Sequence, residues 1–225
     1  MGVVLGARLG YVLFYGDGYY FAHPLEILAF NQGGMSFHGG LVGLLIGGVV
    51  AARLTRMPFL TLADLGSIAA PVGLFFGRCA NFVNGELWGA PTDAPWGVIF
   101  GGAAGTMPRH PSQLYEAVLE GIVIFCVLYA LSRKLPPKPQ GTFVGLFMVL
   151  YGVFRFLIEF VRQPDAQLGY LWGGWLTMGQ VLSAPLVVAG IALLVYAWKA
   201  KRPQAGPALP GNGEVSADDA PPAQD

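Results

Sequence analysis

An all-α, polytopic transmembrane bundle of about six helices, with one long loop on the outer side, is the fold class that the sequence predicts. Three observations predict it. Of 225 residues, 54% are hydrophobic and only 12% charged, too little charge to cover a soluble surface of this size. The apolar residues gather into long runs rather than alternating with polar ones. Lysine and arginine cluster after alternate runs, although formal net charge is zero.

Five runs reach the roughly 20 residues that a helix needs to cross the hydrocarbon core: 35–53, 65–83, 114–131, 141–161 and 176–198. A sixth, 2–15, is apolar but extends only about 22 Å at 1.5 Å per residue and reads as cut short. The start, Met1-Gly2-Val3-Val4-Leu5-Gly6-Ala7-Arg8, has neither the charged opening nor the cleavage site of a signal peptide. Arg53 and Arg56, then Arg133, Lys134 and Lys138, then Lys199, Lys201 and Arg202 mark the cytoplasmic ends. Alternation places 16–34, 84–112 and 162–174 outside. Gly39, Gly43 and Gly47, and likewise Gly73 and Gly77, recur every four residues and predict close helix packing. Residues 19–30 read as a short amphipathic stretch along the outer interface. The loop 85–110, rich in Gly, Pro and Trp, predicts an ordered or lid-like segment. Residues 1–202 form the membrane domain, and 203–225, rich in Pro, Gly, Ala, Ser and Asp, predict a disordered cytoplasmic tail. Cys79 and Cys126 lack any CxxC or disulfide-scaffold spacing and read as buried thiols.

Polar residues within this apolar frame are the functional candidates. Arg8, Arg78 and Arg155 fall inside or beside apolar runs, where an arginine costs on the order of 3 kcal/mol or more unless it meets a partner, a wet cavity or an anion. The competing reading for each is a structural ion pair between helices. Tyr151, Arg155, Glu159 and Arg162 are spaced to share one helical face of net positive charge, on which Glu159 neutralises Arg155. In 77–89, Arg78 and Asn81 share a face near a helix end, with Asn84 and Glu86 at the following turn. A guanidinium fork beside amide donors suits a phosphodiester, and phospholipid headgroups lie at that depth. The alternative is a polar helix end capped by Asn84 and Glu86. His38 opens a helix, where it could accept a proton or serve as a structural hydrogen-bonding residue. His23 and His110 share no ligand spacing with it, so a metal site is not expected. Pro111 and Ser112 make a good helix entry, leaving His110 and Glu116 without an assigned role.

These segments, in this order, resemble the bacterial prolipoprotein diacylglyceryl transferase family. The matching runs are Gly6-Ala7-Arg8-Leu9-Gly10-Tyr11, 33–40, 77–89, 109–116, 151–165 and Met178-Gly179-Gln180; Ala7 stands where the family usually has a second glycine. Members carry another helix ahead of the first of these runs, so a first transmembrane helix is expected to be lacking here. The resemblance implies transfer of the diacylglyceryl group of phosphatidylglycerol onto the lipobox cysteine thiol of a prolipoprotein, with glycerol phosphate released. It implies no cofactor and no nucleic acid; the partners are phosphatidylglycerol, the prolipoprotein signal peptide with its lipobox cysteine, and membrane lipids. By the same resemblance the enzyme lies in the bacterial inner membrane with its site toward the periplasm. It carries essential roles onto Arg78 and Arg155 and a supporting one onto His38, which the reading of its side chain above makes the candidate proton acceptor. Asn81, Asn84, Glu86, Gly89, Tyr151, Glu159, Arg8, Arg162 and His110 complete the expected substrate-binding set. An anion or lipid transporter would also hold arginines in helices, but no internal repeat is visible. A non-catalytic lipid-binding subunit is the remaining alternative. Intramembrane serine proteolysis lacks its Gly-x-Ser-x-Gly elbow.

Overall fold

The computed structural model describes residues 1–205, apart from 17, 31–32, 136, 164–170 and 172. The expected tail from residue 206 onward, and Pro164 and Asp165 of the fifth matching run, lie outside the described residues. Six main helices appear among the described residues: α1 (Gly2–Tyr15), α2 (Phe37–Thr55), α3 (Phe59–Val83), α4 (Ser112–Ser132), α5 (Thr142–Ile158) and α6 (Met178–Ala200). The only strand-like features among them are isolated bridges, in the loop after α3, at Arg162 after α5 and at Leu176 before α6. Four helices are long and apolar enough to cross a membrane, namely α2, α3, α4 and α6.

The burial pattern is inverted relative to a soluble domain. Leu44, Leu45, Phe76, Leu182 and Val188 face outward, whereas Arg8, Asp64, Gln113, Glu116, Glu120, Glu159 and Gln180 are buried. Apolar side chains gain nothing by avoiding lipid, while polar ones must find partners inside. The same logic corrects the reading of the cysteines: Cys79 is half-buried and Cys126, on the apolar outside of α4, is exposed.

The chain forms two compact units, Met1–Leu62 and Ala63–Gln204. In the first, α1 lies against α2 through glycines. The Cα of Gly39 is 2.8 Å from where a Cβ on Gly10 would stand, and a Cβ on Gly43 would strike the carbonyl of Gly2. Ser36 caps α2 by accepting from the Gly39 N–H at 3.3 Å, and its own N–H donates to Ala7 O at 2.8 Å. The stretch expected to be amphipathic is a four-residue helix, Tyr19–Ala22, and a 3-10 turn, Pro24–Leu28, with Leu25 and Leu28 exposed.

In the second unit, α5 packs along α6 where Gly145 meets Gly190 and Gly152 meets Ser183 and Val187. Gly121 of α4 abuts Phe75 of α3, with only 2.7 Å from a hypothetical Cβ to the Phe75 Cβ. The middle of α4, Ala117–Val123, is wound as a π-helix, a wider turn found frequently at functional sites. Gly73 and Gly77, unlike the first glycine series, meet no neighbour in their own unit, so the four-residue spacing there does not mark tight packing. The run 141–161 is helical for only 17 residues. Beyond Ile158 the chain tightens into the i→i+3 bonds usual at a helix end, Phe160 to Leu157 and Val161 to Ile158, and Val161 O accepts from the Ala90 N–H of the loop after α3. At the opposite end of α5, the buried Asp64 carboxylate of α3 accepts from Gly141 and Val144 N–H at 2.8 Å each and from Gln204 at 2.7 Å.

The contact between α1 and α2 yields a direct comparison. Gly43→Ala forces backbone apart and is expected to cost about 1–3 kcal/mol. Gly47→Ala meets only ordinary contact, 3.5 Å from the Gly2 Cα, and is expected to be neutral or to gain the roughly 1 kcal/mol of helix propensity. Thermal unfolding of the two variants in detergent measures the difference.

Candidate active site

Arg78 sits one turn before the end of α3, and Arg155 one turn before the end of α5. Between them lies Glu116 of α4. Arg78 Nε is 2.9 Å from Glu116 Oε2, and Arg155 Nη1 donates to Glu116 Oε1. Arg78 Nη2 also faces Glu120 Oε2 at 3.5 Å, Arg155 Nη2 meets Glu159 Oε2 at 3.0 Å, and Arg162 Nη1 lies 3.8 Å from the same oxygen. The result is an alternating chain, Glu120–Arg78–Glu116–Arg155–Glu159–Arg162. The three carboxylates are almost wholly buried, whereas the Arg78 and Arg155 side chains remain 17% and 13% exposed.

Local sequence explains how these groups meet. Gln113, Glu116 and Glu120 recur on one stripe of α4, all at 0% exposure, and Gly121 lets that stripe approach α3. Tyr151 stands one turn before Arg155, stacked on Phe147 and within the electrostatic reach of Glu120, Arg155, Arg78 and Glu116. Gly179 of α6 faces the Glu159 carboxyl group, which would lie 2.7–2.8 Å from an added Cβ. That close approach is a physical reason for a glycine in the Met178-Gly179-Gln180 run. Thr177 and Gln180 form a capping box that starts α6 beside it.

The turn after α3 supplies the other polar groups. Glu86 Oε1 accepts from Asn81 Nδ2 at 2.8 Å and Asn84 Nδ2 at 3.2 Å. The Asn81 bond, then the Asn84 bond, hold the Glu86 carboxyl below its ordinary range. Leu87 adopts a left-handed φ of 56°, kept there by bonds from buried residues of α4: Ser112 Oγ to Leu87 O at 3.2 Å and Gln113 Nε2 to Glu86 O at 2.6 Å. Ser112 thus ties the turn to α4 rather than capping it. Gly89 donates to His110 O at 2.9 Å and bridges Arg162; a Cβ there would stand 2.6 Å from both His110 O and Val161 O. His110 Nδ1 is 3.2 Å from the Tyr115 hydroxyl, which accepts from Trp96 Nε1 at 2.7 Å. Arg109 spans Ala104 O, Gly89 O and Gln163 Oε1 and stacks over Trp88, making the loop an ordered one.

Arg78, Arg155, Glu159, Arg162 and Tyr151 are therefore brought together, with Asn81, Asn84 and Glu86 joined in the adjoining turn. Two expectations need correction. Arg162 lies past the end of α5, not on its face, because the chain there turns to bridge Gly89. The expected net positive face is balanced, since three glutamates meet three arginines among the described residues. Glu120 was missed from sequence and Glu116 left without a role. The signal was there, because two carboxylates four apart within an apolar run demand intramembrane partners.

Arg8 and His38 belong to the first unit. Arg8, 2% exposed, donates to the carbonyls of Glu26 (2.6 Å), Ile27 (2.9 Å), Gly33 (2.6 Å) and Gly34 (3.2 Å), and lies over the Tyr11 and Tyr20 rings. Its charge gathers the segment before α2, so its partners are backbone dipoles rather than a carboxylate. His38 is exposed on the first turn of α2. The described residues hold no group of three or more His, Cys, Asp or Glu side chains arranged for a metal ion.

Residues 1–196 match the family model described as prolipoprotein diacylglyceryl transferase. The chain is similar to phosphatidylglycerol–prolipoprotein diacylglyceryl transferases of Methylocella silvestris, 53% identical over 88% of this chain and 72% of the relative, and Geobacter sulfurreducens, 53% identical over 89% and 76%. A third, from Pseudomonas aeruginosa, is 51% identical over 88% of this chain and 73% of its own length.

The Asn81–Glu86 bond makes a pH-dependent prediction. A depressed carboxylate contributes stability that is present above its ordinary pKa of about 4.3 and is lost as pH falls through the lower folded value. Carbon NMR titration of Glu86 is expected to show a midpoint below that of a free glutamate, and Asn81→Ala to return it toward the ordinary range.

Proposed function

Because the chain belongs to the prolipoprotein diacylglyceryl transferase family, we propose that it is a multi-pass membrane transferase that moves the diacylglyceryl group of phosphatidylglycerol onto prolipoproteins. The observation that carries the chemistry is the convergence of Arg78 and Arg155 on one carboxylate, Glu116. Two guanidinium groups aimed at one anion position are poised for the headgroup phosphate.

In the proposed reaction the lipobox cysteine sulfur attacks the glyceryl carbon that carries the phosphate. A carbon–sulfur bond forms, the carbon–oxygen bond breaks, and its electron pair stays on the departing phosphate oxygen. The products are a thioether and glycerol phosphate. Charge develops on the leaving oxygen, and preorganised guanidinium groups in a dry site stabilise it far more than water would. Arg78 meets Glu116 through Nε, and its two Nη groups turn toward a phosphate oxygen, giving up the longer 3.5 Å contact of Nη2 with Glu120. Tyr151 adds a hydroxyl donor beside Arg155. Asn81, Asn84 and Glu86 shape the turn over which the glycerol headgroup would lie, and Gly89, His110 and Arg162 hold the loop that borders it. Glu159 orients Arg155 from the far side. The thiol, with an ordinary pKa near 8.5, attacks as thiolate; His38 is the candidate acceptor of its proton, and Arg8 orders the segment that leads to His38. The signal peptide would present the lipobox cysteine from within the membrane.

Lysine and arginine density supports the orientation. Arg53, Arg56, Arg133, Lys134, Lys138, Lys199, Lys201 and Arg202 favour the cytoplasmic face of the inner membrane for their helix ends. Arg78 and the loop after α3 would then face the periplasm, and the tail beyond residue 202 the cytoplasm.

Purified protein incubated with phosphatidylglycerol and a lipobox peptide is expected to yield the thioether adduct by mass spectrometry. Arg78→Ala and Arg155→Ala are each expected to lower the rate by about 100-fold or more while leaving membrane insertion intact. Normal turnover in both variants overturns the phosphate-clamp reading. Gly179→Ala, which displaces the Glu159 carboxylate, is expected to lower the rate about tenfold through Arg155.

A further inference from the structure

Binding of an anionic lipid headgroup raises a charge problem that the cluster itself answers. The described groups already balance, three guanidinium groups against three carboxylates, so a phosphodiester brings one negative charge in excess into a buried site. The three glutamates are not equivalent. Glu116 is held between Arg78 and Arg155, and Glu159 between Arg155 and Arg162, so each retains one guanidinium if the other turns toward phosphate. Among the described residues Glu120 is ion-paired with Arg78 alone, at 3.5 Å through Oε2, and its buried Oε1 has neither a hydrogen bond nor an ion pair. Movement of Arg78 toward a phosphate strips Glu120 of its counter-ion while leaving it fully buried.

A buried carboxylate deprived of its partner is among the most costly arrangements in a protein and is relieved when the group is neutralised. The groups facing Glu120 are Arg78 from α3, Glu116 from its own helix, and Arg155 and Tyr151 from α5. Glu116 adds repulsion. Arg155 meets Glu116 through Nη1 and Glu159 through Nη2, and it makes no ion pair with Glu120 among the described residues.

We propose that Glu120 is a charge-compensating proton site, taking one proton from solution when the headgroup phosphate draws Arg78 away and returning it when the phosphorylated product leaves. Glu120 touches no substrate in this account and acts through Arg78 as a positioning residue. Its placement at the deep end of the ion-pair chain, on the π-helical turn, reserves this role for it. The proposal rests on the phosphatidylglycerol reading above.

The test uses the full chain in detergent, titrated with dioleoylphosphatidylglycerol micelles in weak buffer containing a pH indicator. About one proton is expected to be taken up per lipid bound, with Kd rising about tenfold per pH unit across the range of uptake. Glu120→Gln, neutral from the outset, is expected to bind with a pH-independent Kd and no uptake, and Glu120→Asp to restore uptake. Infrared difference spectra are expected to show a protonated-carboxyl band on lipid addition that shifts in Glu120→Asp, a readout that survives if Glu120→Gln fails to fold. Lipid binding without uptake in the unmodified protein, uptake unchanged in Glu120→Gln, or an unshifted band in Glu120→Asp each overturns the proposal and leaves the transferase reading intact. Failure of the unmodified protein to prefer phosphatidylglycerol over phosphatidylcholine overturns the headgroup reading on which it rests.

Discussion

One carboxylate shared by two arginines organises the second unit of this protein. Glu116 reaches Arg78 through one oxygen and Arg155 through the other, and it does so from a fully buried position. In a low-dielectric interior such a triad is either well satisfied or ruinous. Three helices, α3, α4 and α5, are therefore bound to one register where these side chains meet. Structural pairing is compatible with the proposed anion capture, because the carboxylate that steadies the two forks also keeps them aimed at one place. A site charged without relief would not stay assembled in lipid.

Much of the remaining sequence serves that meeting point by letting backbones approach. Gly121 brings α4 onto Phe75, Gly179 makes room for the Glu159 carboxylate, and Gly89 passes between His110 and Val161. Each is a position where a methyl group would collide, and each lies within two residues of a polar group of the site or of a residue that holds its border. At the other end of α5, Asp64 joins α3 to the first turn of that helix through two backbone N–H groups. The arginine-bearing helices are thus tied together at both ends, by a charge network at one and a helix cap at the other.

The functional conclusion depends on the whole chain as well as on the cluster. Similarity to transferases that act on phosphatidylglycerol extends over nearly nine-tenths of the chain, and the matched runs include both arginines. The geometry adds what similarity alone does not, a division of labour among the glutamates. Two are bracketed by arginines, while Glu120 has, among the described residues, a single long ion pair and one oxygen with neither a hydrogen bond nor an ion pair. In the proposed reaction that asymmetry lets the ion-pair network exchange a counter-ion for a substrate.

The sequence by itself determined the membrane class, the positions of the apolar runs, and the two arginines about which the site is built. Hydropathy and helical spacing are local, so they survive reading one residue at a time. The Arg155–Glu159 pair, four residues apart, was legible for that reason. Partners distant in the chain were not: Arg155 and Glu116 are 39 residues apart, and Arg78 and Glu120 are 42. Spacing likewise could not tell that Gly39 and Gly43 meet a helix while Gly73 and Gly77 meet none in their unit, nor that α5 ends before Arg162. Only the tertiary structure decided the charge balance of the site. A buried charge is settled by whatever helix lies beside it, and that neighbour is set by packing across the fold rather than by order along the chain.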